Sequence, residues 1–164
     1  MKVPQDRKAP FGVFAKTVQY YPMVAVNIIL KNDKQEYLWV KRKNNPAQGE
    51  WWVPGGRLFN GETIADGAVA ILKNETGITG KLVYQSPQCF EEIFSTSQWN
   101  NDDRHIYPSE IENVHYIATV VVMTVKNVDE IKLDDQSKEY AWSKDILSNH
   151  PFLNNYFTAC KDNL

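Results

Sequence analysis

The chain has 164 residues, which is the size of one ordinary domain with a sizeable core. Apolar residues make up 43% of it, charged residues 23%, and the formal net charge is −2, so bulk charge does not attract nucleic acid. There is no run of about 18 apolar residues and no apolar signal-peptide core, so we expect no membrane span and a cytoplasmic protein. Cys89 and Cys160 show neither metal-type spacing nor a disulfide framework, which favours reduced thiols.

The N-terminal half is predicted to hold an arm followed by strands. Residues 1–19 are predicted to form an arm or a short helix. Met23–Leu30 is a continuous apolar run with β-branched residues, which is typical of a buried strand. A polar turn and a polar loop separate it from two further strands, predicted at Tyr37–Lys41 and Trp51–Val53. The Pro-Gly-Gly sequence at 54–56 then ends the last of these strands.

One amphipathic helix is predicted over Thr63–Thr76. Its apolar residues fall at helical spacing, at Ile64, Ala68, Ile71 and Leu72. Gly77 follows where a C-cap glycine belongs. Because Gly67 inside the helix costs about 1 kcal/mol relative to alanine, we expect close packing against a neighbouring element there.

The C-terminal half is predicted to complete the sheet. Its strands are predicted at Lys81–Ser86, Gln88–Phe94, His115–Val125 and Lys138–Trp142. The polar insert Ser95–Asn113 is predicted to be a long loop. Two helices are predicted at Ser143–Leu147, with Ser143 as the N-cap, and at His150–Cys160. This mixture predicts an α+β fold with an antiparallel or mixed sheet.

The stretch Trp51–Ile78 carries the residues that suggest chemistry. A glycine pair at a strand end lets backbone carbonyls approach a ligand closely. Glu62 lies at the helix start, where a carboxylate suits the helix dipole, whereas Glu75 lies in the last turn, where it does not. A hard cation such as Mg²⁺, which takes oxygen ligands, is one reason for a carboxylate at that end.

This stretch resembles the Nudix box, a motif of the pattern G-x5-E-x7-R-E-U-x-E-E-x-G-U in which U is a bulky apolar residue. The matching positions are Gly56, Glu62, Leu72, Glu75, Gly77 and Ile78. Ala70, Ile71 and Asn74 differ, because they stand where the family has arginine, glutamate and glutamate. The resemblance implies a single domain over 1–164 with the Nudix fold, an α/β/α sandwich around a mixed β-sheet.

Longer stretches resemble the GDP-mannose mannosyl hydrolases, a branch of this family that also lacks the two extra glutamates. The similar segments are residues 22–30, 40–57, 115–116 and 134–142. The resemblance implies hydrolysis of a nucleoside diphosphate sugar, GDP-mannose or a related GDP-hexose, by attack of water at the glycosyl carbon, which releases GDP and sugar. It also implies one Mg²⁺ ion, with Mn²⁺ as an alternative, and a homodimer.

The resemblance assigns a metal site and a diphosphate grip. Gly55 (through its backbone carbonyl), Glu75 and Gln136 correspond to the metal ligands. One charged and two neutral oxygen donors suit an ion that is neutralised mainly by the diphosphate itself. Arg42 and Arg57 correspond to arginines that bind the diphosphate, for which the planar guanidinium is well suited.

Three further substrate-binding residues follow from the same resemblance. Tyr116 corresponds to a tyrosine that stabilises the leaving group, so Arg57 and Tyr116 are the catalytic candidates. His115 precedes Tyr116 and is assigned to substrate binding with it. Asn27 stands where the branch has an aspartate that helps to bind the sugar or the base.

One departure concerns the general base. Ser137 stands where the branch has the histidine proposed for that role, and a neutral serine does not take a proton from water at pH 7 unaided. A general base is typically worth about 10²–10⁴-fold in rate, so we expect slow turnover unless a carboxylate substitutes. The candidates are Asp135, Glu139 and Glu92.

Two alternative functions remain open on these residues. Ser137, Ala70 and Asn27 favour a catalytically weak or inactive module that binds a nucleotide sugar. A pyrophosphatase acting on another nucleotide is the second alternative, although Ile71 and Asn74 remove carboxylates that attack at phosphorus usually needs.

Overall fold

The computed structural model describes residues 8–83, 87–99, 107–126, 128 and 130–164. The α-helices in this part of the chain are α1 (Phe11–Tyr20), α2 (Ile64–Thr76) and α3 (Pro151–Cys160). The strands are β1 (Met23–Lys31), β2 (Tyr37–Arg42), β3 (Trp51–Trp52), β4 (Gly55–Arg57), β5 (Lys81–Leu82), β6 (Gln88–Ser95), β7 (Asn113–Thr124) and β8 (Ser137–Ser143). Short 3-10 helices span Thr96–Gln98 and Lys161–Asn163. None of the described helices is long and apolar enough to cross a lipid bilayer.

The strands form one mixed sheet. Its central order is β3-β2-β1-β7-β5, while β4 pairs with β1, β6 with β7 and β8 with β2. The central pair β1–β7 is parallel over nine residue pairs, and the other pairings are antiparallel. Both central strands are apolar on both faces, as expected for strands covered from both sides.

Helices cover the sheet on opposite faces, so the predicted α/β/α arrangement is confirmed. Side chains of β1 alternate between the faces. On one face Ile28 packs in a core cluster with Ile71 of α2. On the other face Ile29 packs in a second cluster with Leu153 and Tyr156 of α3. A third, smaller cluster joins α1 to the start of β1 and β7.

Helix α2 begins and ends as its sequence predicts. Thr63 is the N-cap, and its side chain accepts a hydrogen bond from the Asp66 backbone N–H. Gly77 ends the helix with a φ of 74°, the left-handed conformation that favours glycine. A Cβ on Gly67 would lie 2.6 Å from Cδ1 of Leu58, which explains why this helix tolerates an internal glycine.

The helix predicted at Ser143–Leu147 was wrong. Strand β8 runs to Ser143, and the Ser143 hydroxyl then accepts from the Asp145 backbone N–H in a tight turn, 3.0 Å away. Pro151 disfavours helical backbone at the residue before it. The last helix therefore begins after His150, whose side chain accepts from the Phe152 N–H as its N-cap.

The predicted loop Ser95–Asn113 is also partly wrong. Its first residue ends β6 and its last begins β7, and residues 100–106 lie outside the described part of the chain. Trp99 and Tyr107 are buried with their ring centroids 4.7 Å apart. Of the strand predicted at Lys81–Ser86, β5 forms the first two residues, and residues 84–86 are not described.

Candidate functional site

A cavity of about 690 Å³ opens where α1, β4, the end of α2 and the segment before β8 meet. Eight residues were assigned by resemblance to metal binding, substrate binding or catalysis. Seven of them line this cavity: Asn27, Arg42, Gly55, Arg57, Glu75, Tyr116 and Gln136. They come from four strands, from the end of a helix and from the segment before β8, and the fold brings them together. A cavity of this size accommodates a ligand of nucleotide dimensions.

His115 does not share this cavity. It neighbours Tyr116 on β7, so its side chain leaves the opposite face of the sheet. There its Nε2 lies 3.1 Å from Oε1 of Glu91, although the two groups are not aligned for a hydrogen bond. The structure thus separates His115 from the residues with which the sequence analysis grouped it.

One corner of the cavity, which we call the carboxylate corner, consists of Gly55, Glu75, Asp134 and Gln136. The Gly55 N–H donates to Oε2 of Glu75 at 3.0 Å. The Asp134 N–H donates to the Glu75 backbone carbonyl at 3.1 Å, which ties the segment before β8 to the end of α2. The Asp134 carboxylate in turn accepts from the backbone N–H and from Nε2 of Gln136, each at 3.0 Å. With its nitrogen held by Asp134, Gln136 has its side-chain oxygen to offer to a cation.

The donors in the carboxylate corner are oxygens, as a hard cation requires. In the described part of the chain, no group of three or more His, Cys, Asp or Glu side chains could jointly hold a metal ion. An ion here would therefore rely on the Glu75 carboxylate, on neutral oxygens and on phosphate oxygens of a ligand. The residues fit a divalent ion bound together with a diphosphate.

The other Nudix-box positions of α2 do not add carboxylates. Ile71 is 2% exposed, belongs to the core cluster beneath α2, and comes within 3.3 Å of where a Cβ on Gly56 would lie. Asn74 lines the cavity and offers a neutral amide. Helix α2 thus presents Glu75 to the cavity without the two neighbouring glutamates of the usual motif.

A close backbone approach explains glycine at position 55. Gly55 lies opposite Asn27 in the β1–β4 pair, and a Cβ at this position would overlap Oδ1 of Asn27. Asn27 is 6% exposed, and its Nδ2 donates to the Tyr156 hydroxyl of α3 at 2.8 Å. The amide is therefore held in place from the opposite side, with its oxygen directed toward Gly55.

The two arginines are held by different means. Nε of Arg42 donates to the Pro46 carbonyl at 2.7 Å. The guanidinium of Arg57 lies 4.5 Å from the ring centroid of Phe14, in cation–π geometry. Phe14 belongs to α1, so the N-terminal helix forms one wall of the cavity beside the arginine. Both cations face the space where a ligand with phosphates would be accommodated.

A second corner, which we call the buried corner, consists of Glu92, Tyr107 and Tyr116. The phenol groups of Tyr107 and Tyr116 are hydrogen-bonded to each other. Desolvation raises the pKa of both tyrosines, and the two arginines of the cavity oppose this shift. Glu92 lies opposite Tyr116 across the β6–β7 pair and is 3% exposed. Burial raises the pKa of Glu92 to about 8, against an opposing effect of Arg42.

The three carboxylates considered as replacement bases are in different places. Asp135 lines the cavity, and one of its oxygens lies 3.8 Å from Nζ of Lys8. Glu92 lines it in the buried corner. Glu139 is outside it and pairs with Lys41 at 2.8 Å. Ser137 is buried in β8 opposite Arg42 and does not line the cavity.

Sequence reasoning missed Tyr107 and Phe14 as cavity residues. Tyr107 lies beyond a polar insert that carries no periodic pattern, so no local signal identifies it. For Glu92 a signal exists, since it alternates with Phe90 and Phe94 along β6 and therefore shares their inward face.

The chain is similar to known proteins in family, in sequence and in fold. The family model described as the NUDIX domain matches residues 21–144. The "Low-salt glycan biosynthesis protein Agl8" of Haloferax volcanii is 27% identical over 153 residues, covering 93% of this chain and 90% of that protein. The "ADP-ribose pyrophosphatase" of Methanocaldococcus jannaschii is 42% identical over 72 residues, covering 41% of this chain and 42% of that protein. The crystal structure of a MutT protein from Methanosarcina mazei Go1 shares the fold, with a TM-score of 0.57 and 20% identity over 86% of this chain and 94% of that one.

Proposed function

The chain belongs to the NUDIX domain family, and on that premise we propose that it is a Nudix hydrolase acting on a nucleoside diphosphate sugar. The observation that carries the proposal is the cavity that joins the carboxylate corner to two arginines and a tyrosine. One side of the cavity carries a carboxylate and neutral oxygen atoms, and the other side carries the guanidinium groups. This arrangement matches a ligand with a metal-bound diphosphate in its middle.

We propose that Gly55, Glu75 and Gln136 hold one divalent cation together with the substrate. Nudix hydrolases in general use a divalent metal such as Mg²⁺ or Mn²⁺, and the oxygen donors of the carboxylate corner suit either ion. When bound, the ion would supply Lewis-acid polarisation of a phosphate oxygen. The carbonyl of Gly55 and the amide oxygen of Gln136 would add ligands without adding charge.

The substrate that we propose is GDP-mannose or a related GDP-hexose. Arg42 and Arg57 would bind the diphosphate, and Tyr116 would donate a hydrogen bond to the departing phosphate oxygen. Asn27 also lines the cavity and would help to bind the sugar or the base. Similarity over nearly the full length to a protein named for glycan biosynthesis supports a sugar nucleotide as substrate.

The reaction that we propose breaks the bond between the sugar and the diphosphate. The oxygen of water bonds to the glycosyl carbon, the bond from that carbon to the phosphate oxygen breaks, and GDP leaves with the electron pair. The proton of the attacking water passes to a base. Asp135 is our candidate for that base, because it lines the cavity next to Gln136 while Ser137 is buried.

The alternative of a pyrophosphatase has one observation in its favour. The relative that is 42% identical over 72 residues is named an ADP-ribose pyrophosphatase. Ile71 and Asn74 argue against attack at phosphorus, because they leave α2 without the neighbouring carboxylates. A module that binds the nucleotide sugar without turnover is the other alternative, favoured by the serine at position 137.

A panel of sugar nucleotides tests the proposal. The protein is incubated with Mg²⁺ and GDP-, UDP-, dTDP- or ADP-sugars, and the products are separated by chromatography. We expect free sugar and nucleoside diphosphate, with the fastest turnover for a GDP-hexose. Sugar phosphate with nucleoside monophosphate would instead support the pyrophosphatase, and tight binding without turnover would support the binding module. The homodimer implied by the resemblance stays a prediction that the molar mass in solution checks.

A further inference from the structure

Glu92 is a buried acid in the wall of the cavity. It lies on β6 between Phe90 and Phe94 and is 3% exposed. Its Oε1 has no hydrogen-bond partner in the part of the chain that the structure describes. A carboxylate anion with one oxygen buried and unpartnered is disfavoured, because burial removes the water that would stabilise its charge.

The groups around Glu92 do not supply a full counter-charge. Arg42 favours the anion, yet its Nε is already committed to the Pro46 carbonyl. From β7, Tyr116 lies opposite Glu92, and its phenol group is already hydrogen-bonded to that of Tyr107. Among the described residues, other titratable or charged groups on elements packed against this corner include Arg57 of β4, His150 at the N-cap of α3 and Tyr156 of α3. His115 and Glu91 face the opposite side of the sheet.

We propose that Glu92 enters the ligand complex as a neutral carboxylic acid and donates a hydrogen bond to an anionic oxygen of the bound diphosphate. The inference deepens the proposed function and rests on it for the diphosphate. A neutral Glu92 does not compete with the phosphates for the two arginines. An ionised Glu92 would compete for them and would also repel the phosphates. The diphosphate also offsets the effect of Arg42, so the bound ligand holds the proton more firmly on the carboxyl.

Binding of the diphosphate is therefore linked to protonation of Glu92. The pKa of Glu92 in the free protein is about 8, so the acid is mostly protonated at pH 7 and mostly ionised at pH 9. Affinity is fully present below that pKa and is lost as pH rises through it. We expect the Kd to rise about tenfold between pH 7 and pH 9, with uptake of close to one proton on binding at pH 9.

Calorimetric titration with GDP or ADP in the presence of Mg²⁺ tests this linkage without any turnover. Titrations at pH 7, 8 and 9, in buffers of different ionisation enthalpy, give both the Kd and the number of protons taken up. ADP is included because adenine does not ionise in this range. The Glu92→Gln variant keeps a neutral donor of the same shape, so we expect it to bind as the wild type does at pH 7 and to lose the pH dependence.

Glu91→Gln is the matched control, since Glu91 is its exposed neighbour on the other face of β6. We expect this variant to keep the wild-type pH dependence. A wild-type Kd that does not change between pH 7 and 9, or a Glu92→Gln variant that weakens as the wild type does, would overturn the inference. If Glu92→Gln does not fold, the number of protons that the wild-type protein takes up on binding still tests the inference. Proton-linked binding of ADP or GDP without hydrolysis of any sugar nucleotide would overturn the proposed function and leave this inference standing.

Discussion

The two corners of the cavity use the same type of side chain in opposite ways. In the carboxylate corner, Glu75 and Asp134 accept hydrogen bonds from backbone or amide N–H groups, and that corner is partly exposed. In the buried corner, Glu92 is 3% exposed and its Oε1 has no partner in the described residues. A carboxylate with donors aimed at it is suited to binding a cation, whereas one without them is suited to holding a proton. Position in the fold, more than residue type, separates the two roles.

The largest expected effect concerns Asp135, the proposed base, which lines the cavity next to Gln136 of the carboxylate corner. We expect Asp135→Asn to lower kcat by about 10²–10⁴-fold, because the amide cannot accept the proton of water. The Kd for GDP with Mg²⁺ should change little, since the variant keeps the shape of the side chain. Steady-state kinetics and calorimetry separate the two effects. An unchanged kcat would move the role of the base to another group.

Glu75→Gln tests the cation-binding side of the comparison. We expect a loss of activity on the order of 10²–10³-fold at moderate Mg²⁺, because the single charged ligand of the proposed cation site is removed. Raising the Mg²⁺ concentration should recover part of the activity. Glu139→Gln is the control, because that carboxylate pairs with Lys41 outside the cavity. If both variants had the same activity, Glu75 would have no special role.

Glu92→Gln should stabilise the folded protein. The folded state keeps the Glu92 proton up to about pH 8, whereas the ordinary pKa is 4.5. Between these values the folded state binds more protons than the unfolded chain, so the free energy of unfolding falls as pH rises. Replacing the acid by an amide removes that loss and should add on the order of 3 kcal/mol at pH 7.

Denaturant unfolding of wild type and variant at pH 5, 6, 7 and 8 checks this expectation. The difference between the two proteins should grow with pH. A constant difference, or a variant that is less stable at pH 8, would mean that Glu92 is ionised in the folded protein.

Gly55→Ala should lower the free energy of unfolding by about 1–3 kcal/mol, as overpacked sites do. The reason is the overlap of the new Cβ with Oδ1 of Asn27. Gly12→Ala on α1 is the matched control, because a Cβ there meets no atom within 4 Å. Thermal unfolding of both variants measures the difference. Equal stability would show that β4 shifts without cost.

The sequence predicts the parts of the molecule that depend on local patterns. The apolar run of β1, the C-cap of α2 at Gly77 and the last helix are confirmed, because each is encoded by neighbouring residues. The helix predicted at Ser143–Leu147 fails because pairing of β8 with β2 extends to Ser143 and overrides a weak helical signal. Strand β4 was not predicted, since it depends on pairing with β1 and not on its own Gly-Gly-Arg sequence.

The candidate site shows the same division. Residues within or beside the Nudix box were identified from the family resemblance, and the fold gathers Gly55, Glu75 and Arg57 around one cavity. The buried corner was not predicted, because the burial of Glu92 and the hydrogen bond between Tyr107 and Tyr116 arise from tertiary packing. His115 was grouped with Tyr116 because the two are neighbours in sequence. Neighbouring side chains of a strand point to opposite faces of the sheet, so His115 lies away from the cavity.

Hydrolysis in oxygen-18 water tests most directly our proposal that water attacks the glycosyl carbon. The protein is incubated with Mg²⁺ and the sugar nucleotide that it turns over best, and the masses of the products are measured by mass spectrometry. We predict that the label appears in the free sugar and that the nucleoside diphosphate carries none. Label on a phosphate, with the sugar unlabelled, would contradict the claim and identify the protein as a pyrophosphatase.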